Sequence, residues 1–289
     1  MSTAIQLTIN ILIPVALFSL VAAGFSIFYA VSRIQHLAIG ASVSAAGYFL
    51  LLFFKLGVGL PLAVLSGIFA SVITGILCNL IYERLQGRRQ FSALVALIIS
   101  LMLLLIAQSI LLMTFGSQPK IVSLPAAQTR FEIFGASITL LQIIEIPVGF
   151  LALGALALYL KRSRLGVAIR ATADNAEVAE IIGVNTKRIR YLTMLLASLI
   201  TGLAGIFIAL EFNLEPYAST WHAILAYGQT IVGGTGSILG VFLAGLMTYG
   251  AEHIGGYVIT STYKELYAFA IVFLFLLLRP AGIFGKKRD

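Results

Sequence analysis

Three histidines, one cysteine and eleven carboxylates are all that this 289-residue chain offers for acid–base, nucleophilic or metal chemistry. They are scattered rather than assembled. His36, His222 and His253 stand far apart, and His253 beside Glu252 does not make a zinc motif. Cys78 lies alone in an apolar run, so no disulfide framework or metal cluster is expected, and it reads as a small packing residue. Gly-Gly-Thr-Gly-Ser at 233–237 lacks the lysine and the strand-to-helix order of a phosphate loop, so ATP binding is not expected either. The sequence predicts no catalytic residues, no metal site and no cofactor. It does not read as an enzyme.

What it does carry is one polar, densely charged island. Lys161–Arg190 reads KRSRLGVAIRATADNAEVAEIIGVNTKRIR and holds seven of the nineteen basic residues, with Arg170 near its middle. Asp174-Asn175-Ala176-Glu177 predicts a capping box, with Asp174 as N-cap and Glu177 reaching back to the cap amide. Val178, Ile181 and Ile182 follow at i, i+3, i+4 spacing around Ala179, which predicts a two-turn helix over Asn175–Ile182 with one apolar stripe. Gly183 is the expected left-handed residue after it, and Asn185 or Thr186 caps the next helix. So short a helix is not stable in water by itself. Its stripe must lie in a partner's groove or on lipid headgroups. Asp174, Glu177 and Glu180 would face an anionic leaflet, which favours the partner.

The elements around the island are apolar. The chain is 60% hydrophobic and 10% charged, with a mean hydropathy of +1.04, whereas soluble domains are about a quarter charged. Runs near the ~20-residue spanning length recur from end to end, and the alternating segments of a membrane barrel are absent. Spans are predicted at about 7–32, 37–54, 60–82, 91–115, 138–160, 191–210 and 265–279, with an interrupted element at 223–251. The first is expected to be retained rather than cleaved as a signal. The expected architecture is an all-α, polytopic transmembrane bundle of seven to eight spans, a single domain over 1–289 with 161–190 as a loop within it.

The net charge of +8 does not imply nucleic acid. Fifteen of the nineteen cations fall in four groups: Arg33; Arg84, Arg88 and Arg89; the island; and Arg279, Lys286, Lys287 and Arg288. Basic loops stay on the cytoplasmic side, which places these groups inside and the loop at 116–137, with Pro119 and Pro125, outside. Span 191–210 then exits outward, yet the basic C-terminus belongs inside. A re-entrant pair at 223–251, turning near Gly233–Ser237, restores the parity; two short tilted crossings with the glycines in a cytoplasmic turn do so as well. Irregular backbone at membrane depth is tolerated where it is buried in protein or lines a cavity. Gly233, Gly234, Gly236 and Ser237, with Gln229 and Thr230 just before them, are therefore candidates for a transport path. Gly40, Ser42 and Ser44 lie in a small-residue span, where close helix packing competes with a role in the path. Glu145 in the fifth span is either a structural pair or functional. Glu211, Glu215, His222, Glu252, His253, Lys264 and Glu265 read as wet outer-loop residues or a docking surface, with Tyr217 and Trp221 as interface anchors.

Three segments carry a resemblance. Gly166–Ile189 resembles the cytoplasmic loop of the branched-chain amino acid ABC transporter permeases, G-x-A-[IL]-R-A-x-A-x-N-x-x-x-A-x-x-x-G-[IV]-[DN]. Val232–Gly240 is similar to the family's V-x-G-G-x-G-S-[IL]-x-G, and Leu278–Gly285 to its closing L-[LFR]-R-P-x-G-[IL]-F-G. The resemblance implies an importer permease in the bacterial cytoplasmic membrane. It would work with a second permease subunit, identical or homologous, with two cytoplasmic ATP-binding subunits and with an extracytoplasmic solute-binding protein. The short helix, with Arg170, Asp174, Asn175, Glu177, Val178, Ala179, Ile181, Ile182 and Gly183, would be the coupling helix seated in the ATPase groove. The expected solute is a branched-chain amino acid. Two departures bear on that solute: where the family shows N-F-A-H-G-E, this chain has His36-Leu37-Ala38-Ile39-Gly40-Ala41, and the residues before the double glycine, mostly apolar in the family, include Gln229 and Thr230. Urea, short amides or another small solute is the alternative within the family; a secondary transporter or channel is the alternative outside it, for which broken helices in both halves would be expected.

Overall fold

The computed structural model describes residues 2–86, 92–122, 124, 129–133, 135–279 and 282–284. Arg88, Arg89, Pro125, Pro280, Ala281, Gly285, Lys286, Lys287 and Arg288, named above from sequence, lie outside the described residues. Eleven α-helices account for nearly all of the described chain: α1 Ser2–Ser32, α2 Ile39–Lys55, α3 Leu60–Gln86, α4 Ala93–Phe115, α5 Leu140–Arg162, α6 Arg164–Asp174, α7 Ala176–Ile181, α8 Thr186–Glu211, α9 Ala218–Gly233, α10 Ile238–Val258 and α11 Lys264–Leu278. Seven are long and apolar enough to cross a membrane. Between α4 and α5 a hairpin pairs β1 Arg130–Ile133 with β2 Ala136–Thr139, antiparallel, with Arg130 opposite Thr139. Sequence patterning reads that segment only as a loop.

The bundle is organised around α1, whose apolar window is 89% buried. Small residues let the neighbours reach it closely, as is usual where lipid supplies no hydrophobic drive between helices. Gly24 lies against Ala197 and Thr201 of α8, Ala16 against Gly149 of α5, and Ser19 against Gly245 of α10. Phe25 and Phe28 fill the space between these contacts, both almost fully buried.

Among the described residues α2, α6, α7 and α9 are too short to span, and α2 and α9 are informative here. Helix α2 has 17 residues, about 25 Å, and begins later than the predicted 37–54 run. Residues Arg33–Ala38 climb without helical structure from the end of α1. Partners far away in sequence hold them there: His36 Nδ1 pairs with Tyr82 Oη at 2.9 Å, and Ser100 Oγ accepts the Ala38 amide at 3.1 Å. Gly40 then lies directly against the Ser219 carbonyl at the start of α9.

The interrupted element resolves into α9 and a full-length α10. The first limb, α9, has 16 residues, and α10 is itself one of the seven potential spans. Gly234 and Gly236, at φ +89° and +83°, make the turn in a backbone region open to glycine. The Gly236 amide donates to Ser26 Oγ at 2.8 Å, and Ala30 packs beside it, so the turn lies near the Ser32 end of α1. The C-terminal segment comes to the same place: the amides of Ile283 and Phe284 donate to the carbonyls of Val232 and Gly233 at 2.8 and 3.3 Å. Arg33, at that end of α1, donates to the Ala173 carbonyl of α6. The charged island, the α9–α10 turn and residues 282–284 thus share one end of the bundle, called here the island end. The hairpin and the α8–α9 connection lie at the far end.

Candidate functional site

At the island end the backbone is capped at every turn. Ser163 closes α5 and caps α6, its Oγ accepting the Gly166 amide at 2.8 Å. The Arg170 guanidinium donates to the Leu160 carbonyl and, at 3.5 Å, to that of Lys161, the last carbonyls of α5. The N-cap of α7 is Asn175, not Asp174: Asn175 Oδ1 accepts the amides of Glu177 and Val178 at 3.0 and 3.1 Å. Asp174 is the final residue of α6, which runs one residue into the predicted box. Helix α7 therefore runs Ala176–Ile181 rather than Asn175–Ile182. Its far end is as expected. Gly183 sits at φ +90°, its amide reaches the Glu180 carbonyl at 3.0 Å, and the Val184 amide reaches that of Ala179 at 2.9 Å, the paired bonds of a Schellman ending. Asn185 caps α8 through the Arg188 amide at 2.9 Å, and the Thr186 hydroxyl donates to the Glu180 carboxylate.

These caps hold a short helix rigid while its apolar face stays bare. Ala179 points into the bundle at 1% exposure, whereas Val178, Ile181 and Ile182 are 50%, 83% and 70% exposed. Val178, Ile181 and Ile182 are the stripe the spacing predicts, and among the described residues none covers Ile181 or Ile182, while Val178 is half-exposed.

The candidate path residues are mostly occupied with packing. Thr230 Oγ1 donates to the carbonyls of Ala22 and Ala226 at 3.0 and 2.9 Å, Gly233 lies against Gly240, and Ser237 Oγ caps α10 through the Gly240 amide at 3.0 Å. Gly40 and the Gln229–Gly233 run meet opposite ends of α9, so the two predicted groups share a helix but not a site. Ser42 and Ser44 are buried on α2. Ser42 Oγ and both amide atoms of Gln229, which is 0% exposed, have no hydrogen-bond partner. Glu145 of α5 is equally enclosed, and neither carboxylate oxygen is paired.

The outer-loop residues, scattered in sequence, converge. Glu211, Glu215, His222, Glu252, His253 and Lys264 line one cavity of about 530 Å³ at the far end. Its wall is Phe18, whose ring lies 5.2 Å from His222 and 5.4 Å from Tyr249. None of the candidate path residues lines it. Sequence reasoning missed Phe18 and Tyr249; the available signal was the i, i+3, i+4 spacing of Tyr249, Glu252 and His253 on one helix face.

The sequence model of the family described as branched-chain amino acid transport system / permease component matches residues 7–278. The chain belongs to that family. Relatives of this permease include the high-affinity branched-chain amino acid transport system permease protein LivH of Salmonella typhimurium, 29% identical over 93% of this chain and 91% of that one. The corresponding BraD protein of Pseudomonas aeruginosa is 28% identical over 98% and 96%. More distant is the ribose import permease protein RbsC of Escherichia coli, 23% identical over 93% and 84%. Among solved structures, PsaBC from Streptococcus pneumoniae in complex with Fab shares the fold, with a TM-score of 0.53, 16% identity, and coverage of 94% of this permease and 91% of that chain. Short helices occur in both halves of the bundle, so broken helices do not separate this permease from a secondary transporter; the family does.

Proposed function

We propose that this permease forms, with a second permease subunit, the translocation path of an ATP-driven importer for a branched-chain amino acid, in the bacterial cytoplasmic (inner) membrane. The observation that carries this is the bare stripe of Val178, Ile181 and Ile182 on a helix capped at both ends. A stripe of that size on six residues fits a groove in another protein, and two cytoplasmic ATP-binding subunits supply it. ATP closes those subunits, their grooves move, and α7 passes the displacement to α8 through the Asn185 cap. The bundle then shifts between two packings, each open to one side. An extracytoplasmic solute-binding protein delivers the solute at the far end. The basic residues of the island, at the same end as residues 282–284, favour a cytoplasmic position for the island and the C-terminal segment.

The solute reading draws on the names of the relatives. A second reading within the family, urea, a short amide or another small polar solute, is favoured by Ile39 and Ala41 standing where the family pattern has His and Glu. The experiment is reconstitution with the partner subunits in proteoliposomes. ATP-dependent leucine uptake, lost together with ATPase association in Ile182→Asp, is the expected result. Uptake that proceeds without ATP, or association that survives Ile182→Asp, overturns the coupling role of α7.

A further inference from the structure

The far-end cavity has a chemical character of its own. At about 530 Å³ it falls within the range of roughly 300–1,000 Å³ typical of small-molecule sites. Three carboxylates line it, from Glu211, Glu215 and Glu252, against the single ammonium of Lys264. Three carboxylates against one ammonium leave the cavity with an excess of negative charge. The Glu211 carboxylate accepts the Gln142 amide at 2.7 Å, a neutral donor that leaves its charge uncompensated. Tyr249 is 2% exposed, lines the same cavity, and has a hydroxyl with no partner. A buried hydroxyl left unpaired costs stability unless something fills the gap. The remaining wall is apolar and aromatic: Ile13, Phe18, Trp221 and Leu225.

We infer that this cavity binds a primary ammonium group carried on a small apolar body. The Glu211 and Glu215 carboxylates face the charge, Tyr249 Oη accepts one N–H, and the rings of Phe18 and Trp221 take the body and the cation's flank. The site is lined by residues of this one chain. Two sources present that chemistry at the outer face: a free amino acid, and the headgroup of an aminophospholipid. The inference deepens the transport reading, and the identity of the solute rests on it, but binding itself does not require uptake.

Trp221 is the single tryptophan of the chain and lines the cavity, so intrinsic fluorescence reports occupancy directly. The full chain in phosphatidylcholine nanodiscs is titrated with isoamylammonium, leucine and neutral isoamyl alcohol. A saturable change is expected with isoamylammonium and absent with the alcohol. Glu215→Gln, on an exposed loop residue, should weaken binding about tenfold, and Glu211→Gln/Glu215→Gln should abolish it. Leucine binding as well assigns the site to the free solute. If nanodiscs containing phosphatidylethanolamine show the change already and weaken isoamylammonium binding severalfold, the headgroup is the occupant. No saturable change with isoamylammonium in phosphatidylcholine, equal response to the alcohol, or unaltered binding in the double variant overturns the inference. Failure of uptake with amine binding intact instead counts against the transport reading alone.

Discussion

The two ends of this bundle are built on opposite rules. At the island end the helix termini are satisfied, by Ser163, Asn175, Gly183 and Asn185, and apolar side chains are left bare. At the far end the apolar side chains form walls and it is polar atoms that lack partners, foremost the Tyr249 hydroxyl. The contrast matches what each end would meet under the proposed coupling and binding roles. A protein groove repays exposed apolar area and a rigid backbone. A small polar solute repays unpaired hydrogen-bonding groups held in a dry pocket.

The largest expected effect breaks the island end. Ile182→Asp puts a charge on the stripe without touching a cap, so ATP-driven uptake should fall at least about tenfold while the melting temperature of the isolated chain stays unchanged. Gly183→Val acts through the backbone instead, since a β-branched residue at φ +90° is strained by about 1–3 kcal/mol. It should lower uptake and also increase proteolytic cleavage within the island. Next, Glu145→Leu should leave the fold intact and raise stability by about 1–4 kcal/mol in thermal unfolding, because it removes a buried carboxylate that has no partner. Destabilisation there would mean that Glu145 is paired in the native membrane. A smaller loss, about 1 kcal/mol, is expected for Asn175→Ala, read as faster hydrogen exchange at the amides of Glu177 and Val178. Asp174→Ala should leave exchange at those two amides unchanged. The opposite order would restore Asp174 as the cap.

Much of the island end was legible because its determinants are local. Gly183 and Asn185 took the roles their spacing predicts, and the Val178–Ile182 stripe followed from helical periodicity. The error over Asp174 was also local: two good N-cap residues stand in tandem, and only the length of α6, which sequence patterning did not foresee, decides between them. The span count was legible from hydropathy. The shortness of α2 was not, since Ile34, Leu37 and Ala38 are apolar enough to continue the run while Tyr82 and Ser100, from other helices, hold them out of it. The far-end cavity was least legible of all. Phe18, Glu211, Tyr249 and Lys264 meet only through tertiary packing, and each alone is an ordinary residue.

One feature of the island end sets how force can spread. The short helix and α6 before it form one unit pinned on three sides: α6 to α5 through Arg170 and to α1 through Arg33, and α7 to α8 through the bond between Thr186 and Glu180. A lever fixed at three points cannot swivel about any one of them. Under the proposed coupling role, a tug on α7 would therefore drag the central post of the bundle along with its neighbours, and the permease would shift as a block.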